Sequence, residues 1–214
     1  RPLSTPEAAL LLSAADDLAA TLPRWRAWLA VERRMSPHTV TAYEGDVGAF
    51  LAFLARHRGR AVSLSDLAGA GLADFRAWLA GRTAQGAAAA SRARAVSSLK
   101  SFYRWLDRSG VLHNPAIGAL GTPKLPRAVP KPLAVDDAAA LIDLAGDADC
   151  APWIALRDRA LFTLLYGCGL RISEALSLDR AVLPLGDSLS VLGKGRKERV
   201  VPLLPAVADA IRAY

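Results

Sequence analysis

The chain has 214 residues, of which 52% are hydrophobic, and its formal net charge is +7. This length suits one large domain or two small ones with apolar cores, and the apolar run 8–15, flanked by acidic residues, is too short to span a membrane. Cys150 and Cys168 lie in a chain without an export signal, so we expect reduced thiols in a cytoplasmic protein.

The N-terminal part of the chain begins with two predicted helices. Residues 1–20 are alanine-rich with a few acidic side chains, and we expect a mobile lead-in or a short helix there. The spacing of apolar residues predicts an amphipathic helix over 22–34. Ser36 is predicted to cap the next helix, because Pro37 takes the first helical position, where its missing N–H costs little. That helix should extend to about His57, with an apolar face of Val40, Tyr43, Val47, Phe50, Leu51 and Leu54.

Two further helices complete a predicted four-helix module. Ser65 is expected to cap the third helix, which carries Leu67, Leu72, Phe75 and Leu79. The fourth should run from about residue 87 to 109 and end at Gly110. Its apolar face comprises Ala95, Val96, Leu99, Phe102, Tyr103 and Leu106.

The opposite face of the fourth helix indicates a nucleic-acid partner. It gathers Arg94, Ser97, Lys100, Ser101, Arg104 and Arg108, with no acidic residue among them. Such side chains suit contacts with phosphates and with base edges in a major groove. The alternative is an ordinary solvated face, although such a face usually mixes both signs of charge.

Charge is also segregated along the chain. Residues 1–130 contain 17 Lys and Arg against 9 Asp and Glu, whereas residues 131–214 contain 10 against 11. The first half is therefore expected to bind along a polyanion.

Five prolines lie in residues 111–132, with Lys124, Arg127 and Lys131 among them. Proline at this density excludes a continuous helix or a central strand, so we expect an extended basic connector that could lie along DNA.

A second domain is expected to begin near Leu133. Its first helix is predicted over 135–144, and helical spacing of apolar residues predicts another over 153–166. Gly167 and Gly169 should end that second helix, since glycine tolerates a left-handed cap.

Arg171 then lies at a helix-to-helix turn, ahead of a new helix that Ser173 or a neighbour can cap. A guanidinium beside the positive end of a helix can hold a phosphate bidentately. The alternative is a structural pair between Arg171 and Glu174.

A short hairpin is predicted after this turn, with strands over 188–192 and 198–202 joined by a glycine-bearing turn. It would project Lys194 as a single ammonium group that can donate a proton to a leaving oxygen. The alternative is that Lys194 and Lys197 are solvated turn charges.

Two motifs together resemble one family. GLRISEALSL around Arg171, followed by LGKGRKERVVPL around Lys194, closely resembles the tyrosine recombinase (phage integrase) family, and Xer-type recombinases in particular. The resemblance implies a mainly α fold, in which residues 21–110 form a four-helix, SAM-like core-binding domain and 111–132 form a linker. It implies that residues 133–214 form the first part of an α+β catalytic domain with a small antiparallel hairpin.

The resemblance also implies roles for individual residues. Arg171 matches the first catalytic arginine, which grips the scissile phosphate, and Lys194 matches the hairpin lysine that protonates the leaving 5′ oxygen. The segment SPHTVTAY resembles the start of the second helix of the core-binding domain. We expect double-stranded DNA to contact Ser36, Thr39, Arg94, Ser97, Lys100, Ser101, Arg104, Lys124 and Lys197, whereas His38 and Tyr43 could equally be packing residues.

The implied reaction is strand cleavage and rejoining through a 3′-phosphotyrosyl intermediate, as in the resolution of chromosome dimers. Partner recombinase subunits are implied too, with a tetramer on a short, near-palindromic site when the protein is intact. No Cys/His cluster has metal-ligand spacing and no glycine-rich nucleotide loop occurs, so we expect neither metal nor cofactor.

Parts of the family's active site have no match in these residues. No His-x-x-Arg element follows Lys194, and Tyr214 comes too soon after it to match the nucleophile, so we interpret Tyr214 as a core aromatic. The chain alone is therefore expected to bind DNA without nicking or joining it. The alternatives are a non-catalytic DNA-binding accessory protein or decayed relative, and, less favoured by the N-terminal pattern, a topoisomerase of related fold.

Overall fold

The computed structural model describes residues 13–125, 132–146, 151–180, 186–193 and 197–214. The chain divides into two units, residues 1–127 and 128–214, which we call the helical unit and the second unit. The expected mainly α fold with one small antiparallel hairpin is confirmed. Among the described residues, no helix combines the length and the apolar composition that a membrane crossing requires.

The helical unit consists of helices joined by short turns. They are α1 (Asp16–Ala27) with a π-helical turn (Trp28–Glu32), α2 (Pro37–Arg58), α3 (Leu64–Ala68), α4 (Leu72–Ala84), α5 (Ala89–Arg108) and a 3₁₀ turn (Pro115–Ala119). The predicted cap of α2 is confirmed, because Oγ of Ser36 accepts the N–H of Thr39 at 3.2 Å. Gly59, at φ 70°, ends α2 in the left-handed conformation that glycine adopts readily.

The core of the helical unit is aromatic. Trp25 and Phe102 pack with ring centroids 4.8 Å apart, and Phe50 lies 5.3 Å from Phe75. The predicted apolar face of α5 is buried throughout, at Ala95, Val96, Leu99, Phe102, Tyr103 and Leu106. The predicted polar face of α5 therefore points away from this core, although Ser98 of the same helix is buried.

The predicted third helix is wrong in two respects. Ser63 rather than Ser65 is the cap, since its Oγ accepts the N–H of Asp66 at 3.3 Å and the Asp66 carboxylate accepts the N–H of Ser63 at 2.9 Å. The segment also forms two helices, α3 and α4, because it contains two closely spaced glycines with poor helix propensity. The carboxylate of Asp74 accepts the N–H of Gly71 at 2.8 Å and so starts α4.

The helical unit includes residues on both sides of the predicted four helices. Helix α1 begins at Asp16, inside the expected lead-in, and its Leu18 is fully buried. After α5 the chain folds back onto the core rather than leaving as an extended connector. Nδ2 of the buried Asn114 donates to the carbonyls of Leu67 and Ala70 at 2.8 and 2.9 Å. Residues 126–131 of the predicted linker, including Arg127 and Lys131, lie outside the described residues.

The second unit combines helices with the hairpin. Its elements are α6 (Val135–Gly146), α7 (Pro152–Gly167), α8 (Ile172–Ala175), β1 (Ser188–Leu192), β2 (Glu198–Pro202) and α9 (Pro205–Ala213). The predicted strand bounds are confirmed, with Leu189 opposite Val201 in the antiparallel register. Side chains from α7, α8, both strands, α9 and the adjoining turns share the core: Leu164, Leu170, Ala175, Leu189, Val191, Val201, Leu203, Val207 and Ala208.

The interpretation of Tyr214 as a core aromatic is wrong. Its side chain is 61% exposed and follows the last residue of α9. The inward face of α9 is occupied by Val207 and Ala208, both buried. Amphipathic spacing along the helix therefore does not extend to the tyrosine.

Candidate functional site

The turn between α7 and α8 positions Arg171. An alanine Cβ built at Gly167 would lie 2.7 Å from Cγ2 of Val207, so glycine allows α9 to approach the end of α7 closely. Gly169 adopts φ 59°, a conformation that L-residues rarely take. Arg171 stands immediately before α8, as the two-glycine sequence predicted. Because α8 has a single turn, the positive charge here comes from guanidinium groups rather than from a helix dipole.

Arg171, Glu174 and Arg199 form one cluster, which we call the Glu174 cluster. The side chain of Glu174 is only 4% exposed. Its carboxylate accepts the backbone N–H of Arg171 at 2.9 Å and Nη1 of Arg171 at 2.8 Å. Arg199 of β2 donates to both carboxylate oxygens, at 2.9 and 2.8 Å. The alternative pairing of Arg171 with Glu174 is thus present, yet the Arg171 side chain remains 62% exposed.

The electrostatics of the Glu174 cluster leave it positive. The hydrogen bond from Arg199, followed by that from the N–H of Arg171, lowers the pKa of Glu174 to about 2. The same hydrogen bond, which Arg199 donates to the Glu174 carboxylate, raises the pKa of Arg199. The carboxylate is therefore ionised near neutral pH, and two guanidinium groups exceed its charge by one. An exposed guanidinium with a surplus positive charge suits a phosphate oxygen.

The turn of the hairpin starts against the Glu174 cluster. The N–H of Gly193 donates to the carbonyl of Lys197 at 2.8 Å. A Cβ at Gly193 would lie 3.1 Å from Nη1 of Arg199 and 3.4 Å from Oε1 of Glu174. Lys194 itself lies outside the described residues, as do 195 and 196. The structure nevertheless brings the residue before Lys194 to the cluster that contains Arg171, and Lys197 is exposed.

The sequence reasoning missed Arg199. The alternation of side chains along β2 could have found it, because Arg199 shares a face with the buried Val201 while Glu198 and Val200 point outward. An arginine on the inner face of a strand requires an acidic partner. Glu174, three residues after Arg171, is the acid that the same motif supplies.

Apart from Lys197 on the hairpin, the predicted DNA-contacting residues belong to the helical unit. Arg94, Ser97 and Arg104 are exposed, and Lys100 and Ser101 are half-buried on α5. Oγ of Ser36 and Oγ1 of Thr39 lie 2.9 Å apart at the start of α2. Exposed positions are also found for Lys124 and His38, whereas Tyr43 is half-buried.

One feature of this surface differs from the sequence expectation. The polar face of α5 has no acid of its own, but Asp46 of α2 reaches Arg94, with its Oδ2 2.9 Å from Nε. Over the described ranges, no group of three or more His, Cys, Asp or Glu side chains is placed to hold a metal ion.

Two family models match the chain. The model described as "Phage integrase, N-terminal SAM-like domain" matches residues 22–110, and the one described as "Phage integrase family" matches residues 133–214.

Among curated relatives, the chain is 59% identical over 199 residues to the tyrosine recombinase XerC of Rhodospirillum centenum, covering 92% of this chain and 58% of that protein. It is 42% identical over 206 residues to the tyrosine recombinase XerC of Brucella suis, covering 95% of this chain and 65% of that protein. The chain thus spans about three fifths of the length of these relatives.

Solved structures share the fold. A lambda integrase tetramer bound to a Holliday junction matches with a TM-score of 0.62 and 19% identity, covering 94% of this chain and 55% of that one. The XerH recombinase bound to its difH substrate matches with a TM-score of 0.60 and 15% identity, covering 97% and 64%.

Proposed function

Because the chain belongs to the tyrosine recombinase (phage integrase) family, we propose that it supplies the DNA-binding part and the first active-site residues of an Xer-type site-specific recombinase. The protein cleaves a DNA strand and rejoins it without hydrolysis. Its substrate is a short, near-palindromic duplex, on which partner subunits assemble as a tetramer. It acts in the cytoplasm, in chromosome dimer resolution and partition at cell division.

The Glu174 cluster is the observation that carries this proposal. Arg171 is held at its backbone and at one guanidinium nitrogen by the buried carboxylate, and most of its side chain remains exposed. An arginine restrained in this way can bind a nonbridging oxygen of the scissile phosphate and offset the charge that develops there. Arg199 keeps Glu174 ionised and in place, so it supports Arg171 without contacting substrate.

Lys194 is the proton donor in this proposal. When a tyrosine oxygen attacks phosphorus, the new bond is tyrosine O–P and the bond that breaks is P–O5′. The departing 5′ oxygen takes a proton from the Lys194 ammonium. Support comes from Gly193, which precedes Lys194 and lies against Arg199, so the hairpin and the Arg171 turn are fixed to each other.

DNA binding is tested with the 214-residue chain. Reversing the charge at Arg94, Lys100 and Arg104 should weaken binding to a duplex and reduce the slope of log affinity against log salt by about one for each phosphate that is no longer neutralised. The same measurement on Arg56→Glu, which changes an exposed arginine of α2, serves as the control. Unchanged affinity in the α5 variants would remove this helix from the interface.

Catalysis is tested with the protein encoded by the complete gene. On a nicked duplex that traps the phosphotyrosyl intermediate, Arg171→Ala and Lys194→Ala should prevent the covalent adduct while DNA binding persists. Arg212→Ala, an exposed arginine paired with Asp209 on α9, is the matched control and should form the adduct. The 214-residue chain should bind without forming one. An adduct from the Arg171→Ala protein would overturn the assigned role, and binding without adduct by the complete protein would favour an accessory DNA-binding function.

A further inference from the structure

Asp46 is buried in the helical unit, and its carboxylate on α2 accepts hydrogen bonds from side chains of two other helices. It lies on α2 and is 2% exposed. Its carboxylate accepts Nε and Nη2 of Arg94 at 2.9 and 3.3 Å, Nη1 of Arg82 at 3.2 Å, and Oγ of Ser98 at 3.0 Å. Arg82 belongs to α4, whereas Arg94 and Ser98 belong to α5. A buried carboxylate with this set of donors is fixed in position.

Arg82 and Arg94 differ in how much of the side chain remains accessible to a ligand. The Arg82 side chain is 19% exposed and its guanidinium lies 5.4 Å from the centroid of the Trp78 ring, so it is enclosed by the unit. The Arg94 side chain is 48% exposed. Since Arg94 binds Asp46 through Nε and Nη2, the planar geometry of the guanidinium directs the N–H groups of Nη1 away from the carboxylate.

We propose that Asp46 is a positioning residue that holds the Arg94 guanidinium in the orientation in which its outer edge binds a backbone phosphate of duplex DNA. The proposal rests on the proposed function, in which α5 faces DNA. Arg82 supplies the second positive charge, so the pair of arginines exceeds the carboxylate by one and the site stays attractive to an anion. An arginine already held in one conformation loses less freedom when a phosphate binds it.

If Asp46 only neutralised Arg94, its replacement would have the opposite effect on the affinity for DNA. If Asp46 only cancelled the charge of Arg94, then replacing it with asparagine would raise the affinity for DNA and steepen its salt dependence. If Asp46 positions Arg94, the same change weakens binding although the protein becomes more positive. The direction of the effect therefore separates the two roles.

The experiment measures the affinity of the 214-residue chain for a mixed-sequence DNA duplex by fluorescence anisotropy at several salt concentrations. We expect Asp46→Asn to weaken binding about 5- to 10-fold, as removal of one well-oriented phosphate interaction would. Arg94→Gln should weaken it by a similar factor, and the double variant should be no weaker than Arg94→Gln alone, because both changes remove the same interaction. Arg76→Lys, at an exposed position of α4, is the matched control and should bind like the unchanged chain.

If Asp46→Asn does not fold, Arg94→Lys still tests the proposal. Lysine retains the charge but cannot bind a carboxylate and a phosphate along two edges, so it should behave like Arg94→Gln. Affinity equal to that of the unchanged chain in Arg94→Lys, or unchanged or tighter binding in folded Asp46→Asn, would overturn the proposal and leave DNA binding by α5 intact. Absence of salt-dependent binding by the unchanged chain would overturn both.

Discussion

Replacement of Gly167 by alanine tests the packing that holds the Arg171 turn. An added Cβ would lie 2.7 Å from Cγ2 of Val207, whereas carbon atoms in contact are about 3.5–4.0 Å apart. Val207 is buried, so the valine or α9 must move by about 1 Å to restore a normal contact. Overpacking of this kind costs about 1–3 kcal/mol, and the reduced freedom of the unfolded chain offsets about 0.4–1 kcal/mol. Taken at the midpoints of these ranges, the expected loss of stability of the second unit is about 1.3 kcal/mol.

Native-state hydrogen exchange, read amide by amide in α7, β1 and β2, measures this loss for the second unit separately from the helical unit. A single thermal midpoint of a two-unit chain would not separate the stabilities of the two units. Gly45→Ala is the matched control, because no described atom outside its own helix backbone lies within 4 Å of an added Cβ. It should stabilise the helical unit by about 0.4–1 kcal/mol. Equal or greater protection of the second unit in Gly167→Ala would refute the packing argument.

Three further predictions concern the site and its support. Hydrogen bonds from Arg199 and from the Arg171 N–H lower the pKa of Glu174 from 4.5 to about 2. The ionised carboxylate therefore stabilises the second unit fully above pH 4.5, and this contribution is lost as the pH falls towards 2. Amide exchange in β2, corrected for intrinsic rates, should accelerate between these two pH values. Gly193→Ala should displace Arg199 and slow adduct formation by the complete protein, with the affinity for DNA unchanged. Asn114→Ala leaves buried carbonyls without their donor and should destabilise the helical unit by about 2–4 kcal/mol, measured by native-state hydrogen exchange at amides of α2 and α5.

The elements that the sequence predicts well are those set by local patterns. Helix α5 and the two strands follow hydrophobic periodicity and glycine positions within a few residues, and these determine which face is buried. The cap of α2 follows from Ser36 and Pro37 in the same way. Arg171 at the start of a helix was also predictable, because Gly167 and Gly169 immediately precede it.

The rest depends on contacts between distant residues. Both Ser63 and Ser65 can cap a helix, and Asp66 favours Ser63 because its carboxylate accepts the N–H of Ser63. The fold-back after α5 depends on carbonyls near Leu67, which Asn114 reaches across 47 residues of sequence. Periodicity within one segment carries no information about such partners.

The same dependence explains why the sequence does not show the pairing of Arg199 with Glu174 or of Arg94 with Asp46. Arg199 meets Glu174 across 25 residues, and Arg94 meets Asp46 across 48. An isolated acid in a helix is indistinguishable from a solvated one until packing shows it to be buried. The positive face of α5 is visible in the sequence, whereas the carboxylate that orders it is not.

Buried acids that each hold two arginines recur in both units. Asp46 holds Arg82 and Arg94, Glu174 holds Arg171 and Arg199, and Asp66 holds Arg58 and Arg60. Asp46 and Glu174 reach arginines 25 to 48 residues away in the sequence, whereas Asp66 joins Arg58 at the end of α2 and Arg60 in the turn before α3. Removing Asp46 or Glu174 would leave two guanidinium groups facing each other. It should therefore lower the free energy of unfolding more than removal of one arginine would. Lysine lacks the planar guanidinium, so at these positions it would bind the acid at a single point rather than along one edge. Arginine at these positions is therefore not interchangeable with lysine.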